Sequence, residues 1–173
     1  PLEGVLMGTR CGSMDPAVVT FLMEREGYTP AQMEEYMNKK CGFLGISGIS
    51  SDSRDIEAAI LKGDKRAYLA ASTLAYQVKR YIGAYTAAMN GLDAIVWTAG
   101  MGENNPELRD RACTDMEYFG IKINRELNAV THHQPNTVEI STPDSKVKVY
   151  VLPTNEELMI ASDTETIVKN LQK

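Results

Sequence analysis

The chain has 173 residues, 43% of them hydrophobic, and a formal net charge of -5, which is enough for one well-filled domain and argues against a general nucleic-acid-binding surface. No apolar run approaches the ~20 residues that span a bilayer, and Pro1-Leu2-Glu3 opens neither a secretion signal nor a chain with an initiator methionine, as a piece of a longer protein or a processed start would. Three cysteines, Cys11, Cys41 and Cys113, lie far apart with no C-x-x-C pair, which fits a reducing, cytoplasmic setting.

After a short segment "GVLMGTRCGSM", Asp15-Pro16 reads as an N-cap with proline at the first helical position, and "AVVTFLMEREG" runs to a glycine stop. Thr29-Pro30 repeats the start signal before "AQMEEYMNKKCG", where Met33 and Met37, four apart, are expected on one buried face. The stretch "FLGISGISSDSRDIEAAILKGD" reads as a glycine- and serine-rich loop leading into a helix with Ile56, Ala59 and Ile60 on a common side and Gly63 at its end. From Asp64 to about Asn90, the residues Ala71, Leu74, Val78, Ile82, Tyr85 and Met89 form a stripe at helical spacing, predicting one long packing helix.

"AIVWTAG" is too short and too β-rich for a helix and reads as a buried strand, with Trp97 in the core; "NPELRDRACTDMEYFG" follows as a helix entered through Asn105-Pro106. Between them the glycines of "AGMGEN" predict a turn. The adjacent His132 and His133 fall in a polar surface loop and carry no assigned chemistry. "TVEIST" and "KVKVYVLP" read as strands around Pro143-Asp144, and "TNEELMIASDTETIVKNL" closes the chain as an amphipathic helix. There Thr154 is expected as N-cap with Glu157 in the capping-box position.

About four strands alternating with helices predict a single α/β domain over residues 1–173, a sheet flanked by helices. Ligands of open α/β sheets sit beyond the carboxyl ends of strands, where Arg10, the "SSDSRD" loop, the "AGMGEN" turn and the "PTNEE" turn would fall.

Four strings, "MGTRCGSMDP", "SDSRD", "GLDAIVWTAGMGENNPELR" and "VYVLPTNEELMIA", resemble in that order the C-terminal half of the acetate kinases, with propionate kinases as close relatives. The resemblance covers essentially the whole chain. It implies a ribonuclease-H-like, actin-like ATPase domain, the second of two, in a cytoplasmic enzyme. That enzyme transfers the γ-phosphoryl of ATP to acetate, giving acetyl phosphate and ADP, reversibly and with Mg2+. By the same resemblance Arg10 lies at the acyl phosphate, and Asp52, Ser53 and Arg54 contact nucleotide, although Asp52 serves equally well as the cap of the following helix. Gly100, Met101, Gly102, Glu103 and Asn104 match the adenosine-binding turn, the bare glycines letting purine and ribose lie on the backbone, and Glu156 matches the glutamate associated with magnesium. Ser13 stands where the family usually has aspartate. The N-terminal domain of the family is absent from the sequence, so the chain alone is expected to bind adenine nucleotide weakly and to turn over nothing. Pairing of copies through this domain is implied, and a propionate or butyrate kinase, or a non-catalytic nucleotide-binding or dimerisation domain, are the other readings.

Overall fold

The computed structural model describes residues 1–171, so the last two positions of the expected domain lie outside the described residues. The chain forms two compact units, Pro1–Gly91 and Leu92–Lys173.

The first unit is helical, and its helices begin where short-range chemistry says they should. In α1 (Pro16–Glu26) the Asp15 carboxylate accepts from the Ala17 N–H at 2.9 Å, and Gly27 ends the helix at φ 71°. A reciprocal capping box opens α2 (Pro30–Lys39), with the Thr29 N–H donating to Gln32 Oε1 and the Gln32 N–H to Thr29 Oγ1. Of the two methionines in α2, Met33 is buried and Met37 only half-buried. The stretch read as a loop contains a further short helix, α3 (Gly42–Ser47), before α4 (Ser53–Leu61). Its glycines permit what their composition disguises: Gly42, at φ 63°, has the Met7 carbonyl so close that any Cβ would collide with it.

Helix α5 (Lys65–Met89) carries the unit, and α3 and α4 both pack on it. Ala67, Ala70, Ala71, Leu74 and Ala75 are buried there, small residues that let the shorter helices approach closely, with Phe43 and Ile56 also in the core. Arg66 fixes α3 from the first turn of α5, donating to the Ile46 carbonyl at 2.9 Å and to that of Gly45 at 3.3 Å. The predicted stripe loses its cover toward the end of α5. Val78 and Ile82 are half-buried, while Tyr85 and Met89 are 60% and 61% exposed. The opening segment leans on the middle of the helix, where the Leu6 N–H donates to Gln77 Oε1 at 2.7 Å. Ser13 Oγ accepts from the Gly4 N–H at 2.9 Å, so the serine in place of aspartate still closes this segment on itself.

The second unit contains β1 (Ala94–Trp97), α6 (Ala99–Asn104), α7 (Pro106–Cys113), a 3-10 turn at Glu117–Phe119, α8 (Arg125–Val130), β2 (Val138–Glu139), β3 (Lys148–Val151) and α9 (Glu156–Leu171). Among the described residues the sheet has three strands rather than about four, in the order β1-β3-β2. β1 pairs parallel with β3, Ala94 opposite Lys148 through Trp97 opposite Val151, and β2 is antiparallel to β3. Val149 and Val151 of β3 are buried along with Trp97, Leu108, Ile121 and Ile140. No residue of α9 is buried, and its Leu158, Met159 and Ile160 are exposed. The architecture is therefore α/β, a small mixed sheet with helices and one long helix, as the sequence predicts.

Candidate functional site

Parallel pairing decides what stands beside what in the second unit. With Trp97 opposite Val151, the segments after β1 and β3 leave the sheet side by side at its carboxyl edge, and the Leu152 N–H still reaches the Trp97 carbonyl at 2.9 Å. Beyond Trp97 the expected turn is one and a half turns of helix, α6, entered through Ala99 at φ 57°. Its two glycines differ. A Cβ on Gly100 would meet nothing within 4 Å, whereas one on Gly102 would come within 3.2 Å of the Trp97 backbone. Gly100 thus leaves open space above the chain, and Gly102 serves close packing of α6 on the strand end. Trp97 is a core residue, 8% exposed.

One oxygen of each polar side chain of α6 is engaged. Asn104 Oδ1 accepts the His133 N–H at 2.8 Å and so holds the exposed histidine loop in place. Glu103 Oε1 accepts the Thr154 N–H at 2.9 Å and the Thr154 hydroxyl at 2.6 Å. The Thr154 hydroxyl, then the backbone N–H groups of Thr154 and Ala99, hold the Glu103 carboxyl below its ordinary range.

Arg109, in α7, has no sequence signal that sets it apart, yet it is the largest fully buried side chain described, at 0% exposure. Its guanidinium donates to the carbonyls of Gly102 (2.7 Å) and Glu103 (2.9 Å), to Asn128 Oδ1 (2.8 Å), and to the carbonyls of Asn128 (3.2 Å) and Thr131. Burial pushes it down to about 10, so it remains a cation at neutral pH. One planar fork thereby ties the end of α6 to the end of α8. Asn105 caps α7 as expected, accepting the Leu108 N–H at 2.8 Å.

At the start of α9 the cap is Asn155, whose Oδ1 accepts the Leu158 N–H at 2.9 Å, and not Thr154. The capping box with Glu157 therefore does not form: Thr154 is drawn away to Glu103, which shifts the helix start by one residue. Glu156 becomes the first helical residue, exposed, its carboxylate without a hydrogen-bond or ion-pair partner among the described residues. No group of three or more potential metal-ligating side chains occurs among the described residues. A magnesium ion accompanying a nucleotide needs only one or two carboxylates besides phosphate and water, so the single free carboxylate fits that chemistry.

In the first unit, Arg10 is exposed and its guanidinium has no partner among the described residues. The loop that carries it is tightly seated. Gly42 lies against the Met7 and Arg10 carbonyls, and a Cβ on Gly8 would fall 2.7 Å from the Ser51 carbonyl, which brings this loop against the one bearing Asp52, Ser53 and Arg54. Asp52 is indeed the N-cap of α4, accepting the Arg54 N–H at 2.9 Å, and it also grips the Arg54 guanidinium, with Nε 3.0 Å from Oδ1 and Nη2 2.5 Å from Oδ2. The Arg54 guanidinium, then its backbone N–H, bring the Asp52 carboxyl down to about 2. The Ser53 side chain is half-buried. Two cysteines distant in sequence have neighbouring backbones: the Cys11 N–H donates to the Met37 carbonyl at 3.0 Å and the Cys41 N–H to that of Thr9 at 2.9 Å. Burial, then Cys11, raises the Cys41 thiol.

An α/β unit whose parallel strands end in an open, glycine-bearing segment has the form in which small ligands are bound at a sheet's carboxyl edge. The family is shown by comparison: residues 1–162 match the Acetokinase family, and the chain belongs to it. The acetate kinase of Thermoanaerobacter pseudethanolicus is 57% identical over 173 residues, covering 99% of this chain and 42% of that protein. The crystal structure of Porphyromonas gingivalis acetate kinase superposes with a TM-score of 0.90 at 52% identity, over 97% of this chain and 42% of that one. A propionate kinase from Francisella tularensis gives 0.83 at 33% identity, over 93% and 40%. The chain thus spans about 42% of the length of the acetate kinases it matches.

Proposed function

We propose that this chain is the C-terminal, nucleotide-binding half of a two-domain acetate kinase, which moves the γ-phosphoryl of ATP to acetate to give acetyl phosphate and ADP, reversibly. The observation that carries the reading is α6, a glycine-bearing segment beyond a parallel strand, open at Gly100 and held from behind by a buried arginine. Adenosine would lie against the backbone at Gly100 to Gly102. Glu103 Oε1 and Asn104 Oδ1 are already engaged by Thr154 and His133, so nucleotide contacts from this segment would come chiefly from its backbone.

Arg10, unpaired and exposed on a well-seated loop, would hold acyl phosphate or carboxylate oxygens and offset charge on the phosphoryl group in transfer. Arg54, 88% exposed and held by Asp52, would present its free edge to nucleotide. Glu156 would hold magnesium, directly or through water. When bound, the ion would neutralise phosphate charge. The remaining groups would come from the N-terminal domain, and the chemistry rests on positioning and charge stabilisation.

The test is acetyl phosphate formation by the full-length protein from ATP and acetate, with propionate and butyrate as competitors. A preference for a longer acid would replace the acetate assignment by the one that the propionate kinase likeness favours, a distinction of about 1 to 3 kcal/mol per methylene. A homodimer formed through this domain is supported by the exposed Tyr68, Leu69 and Tyr76 on α5, and sedimentation of wild type against Tyr76→Glu would test it.

A further inference from the structure

Glu103 resembles a nucleotide contact in sequence, but its surroundings give it different work. The Thr154 hydroxyl has one proton, and at 2.6 Å from Glu103 Oε1 that proton belongs to the carboxylate. The other two contacts of the same oxygen, the Ala99 N–H at 2.9 Å and the Thr98 hydroxyl at 2.7 Å, must therefore be donations to it. The hydroxyl is fully used, one bond given and two received. A second bond, from the Thr154 N–H to Glu103 Oε1, fixes the main chain as well as the side chain.

This network lies where the sheet can no longer do the same job. The β1–β3 ladder ends at Trp97 and Val151, with one further bond from the Leu152 N–H. Past it, Thr154 still ties the start of α9 to the segment after β1, through Thr98 and Ala99 at its entry and through Glu103 near the end of α6. Glu156 follows Thr154 by two residues, at most about 7 Å of extended chain, and Asn155 between them is itself fixed as the cap of α9.

We propose that Glu103 is a positioning residue: through Thr154 it fixes the first turn of α9, and with it the Glu156 carboxylate that would hold a nucleotide-bound divalent cation. The assignment rests on the nucleotide and magnesium roles proposed above. It implies that breaking the Glu103–Thr154 bond weakens the coupling between metal and nucleotide.

The experiment uses the full-length protein and titrates ADP by isothermal calorimetry, in EDTA and across a range of Mg2+. Thr154→Val is expected to leave ADP affinity in EDTA within about twofold of wild type. Thr154→Val and Glu103→Ala should both raise the Mg2+ concentration that half-maximally enhances ADP binding roughly tenfold, the scale of one lost charge-assisted hydrogen bond. Glu103→Gln keeps an acceptor oxygen and should recover most of that loss. If Glu103→Ala fails to fold, Thr154→Val carries the same test alone. Weaker ADP binding in EDTA for Glu103→Ala but not for Thr154→Val would make Glu103 a nucleotide ligand and overturn the proposal, as would unchanged Mg2+ dependence in both. If wild type binds no ADP at all, the functional reading falls and takes the assignment with it.

Discussion

Replacing Arg109 by methionine keeps most of the volume of the stem and removes every donor, stranding five acceptors: the carbonyls of Gly102, Glu103, Asn128 and Thr131, and Asn128 Oδ1. The Gly102 and Glu103 carbonyls lie in part-buried bonds that water can replace, whereas the other three accept in buried ones. An orphaned buried acceptor costs about 1 to 3 kcal/mol. Against this, the variant no longer buries a guanidinium, whose desolvation is the cause of its drop to about 10. The balance is a loss of roughly 3 kcal/mol, at the lower end of what breaking a buried charge network costs. For a domain of this size that corresponds to roughly 6 to 12 °C in melting temperature, and to less in a longer protein. Differential scanning calorimetry of the full-length variant measures the loss, and amide exchange over residues 98–104 should accelerate with it, because α6 loses its hold on α8. A loss below about 1 kcal/mol, or unchanged exchange in that segment, would show that the arginine is not what holds the turn.

Three further outcomes follow from the same geometry. The Asp52 carboxyl, lowered from 3.8 to about 2 by Arg54, contributes stability that is fully present above its unfolded value and is lost as pH falls through the folded one; a carbon-13 NMR titration should therefore find a midpoint near 2, and one near 4 would mean the ion pair does not hold in solution. Glu156→Gln should raise the Mg2+ requirement of the full-length enzyme at least about tenfold while changing stability by less than about 1 kcal/mol, since it removes only an exposed acid from a helix start; an unchanged Mg2+ profile excludes the metal role. Ser13→Ala should cost at most about 1 kcal/mol, since water can take over the exposed Gly4 N–H, and Ser13→Asp, which restores an acceptor, should recover it in thermal melts; equal loss in both would mean that Ser13 acts other than as an acceptor.

Helix starts and long periodic segments were legible because their causes are local. Asp15, Thr29, Asp64 and Asn105 each reach an N–H no more than three residues away, and no distant partner competes for them. Thr154 was misread for the complementary reason. It has the same capping chemistry, but Glu103, 51 residues earlier in the chain, offers its hydroxyl an ionised acceptor, and the cap passes to Asn155. The glycines of "FLGISG" read as a loop because glycine is a poor helix former, yet Gly45 lies inside α3, where a Cβ would fall 2.7 Å from the Lys40 carbonyl, and Gly48 ends that helix at φ 72°.

Sequence alone determined the α/β class, the long helix, the family and the positions that carry its motifs. Periodicity, capping and ordered strings survive without knowledge of contacts. Tertiary structure alone decided which of those motif residues are free. Arg10 and Glu156 have no partner among the described residues, while Glu103, Asn104 and Asp52 are engaged by Thr154, His133 and Arg54, and Arg109, hidden in a run of charges that looks like a solvated face, is buried. Whether a charged group faces a ligand or a carbonyl depends on strand register and helix docking, and these are fixed by parts of the chain tens of residues away.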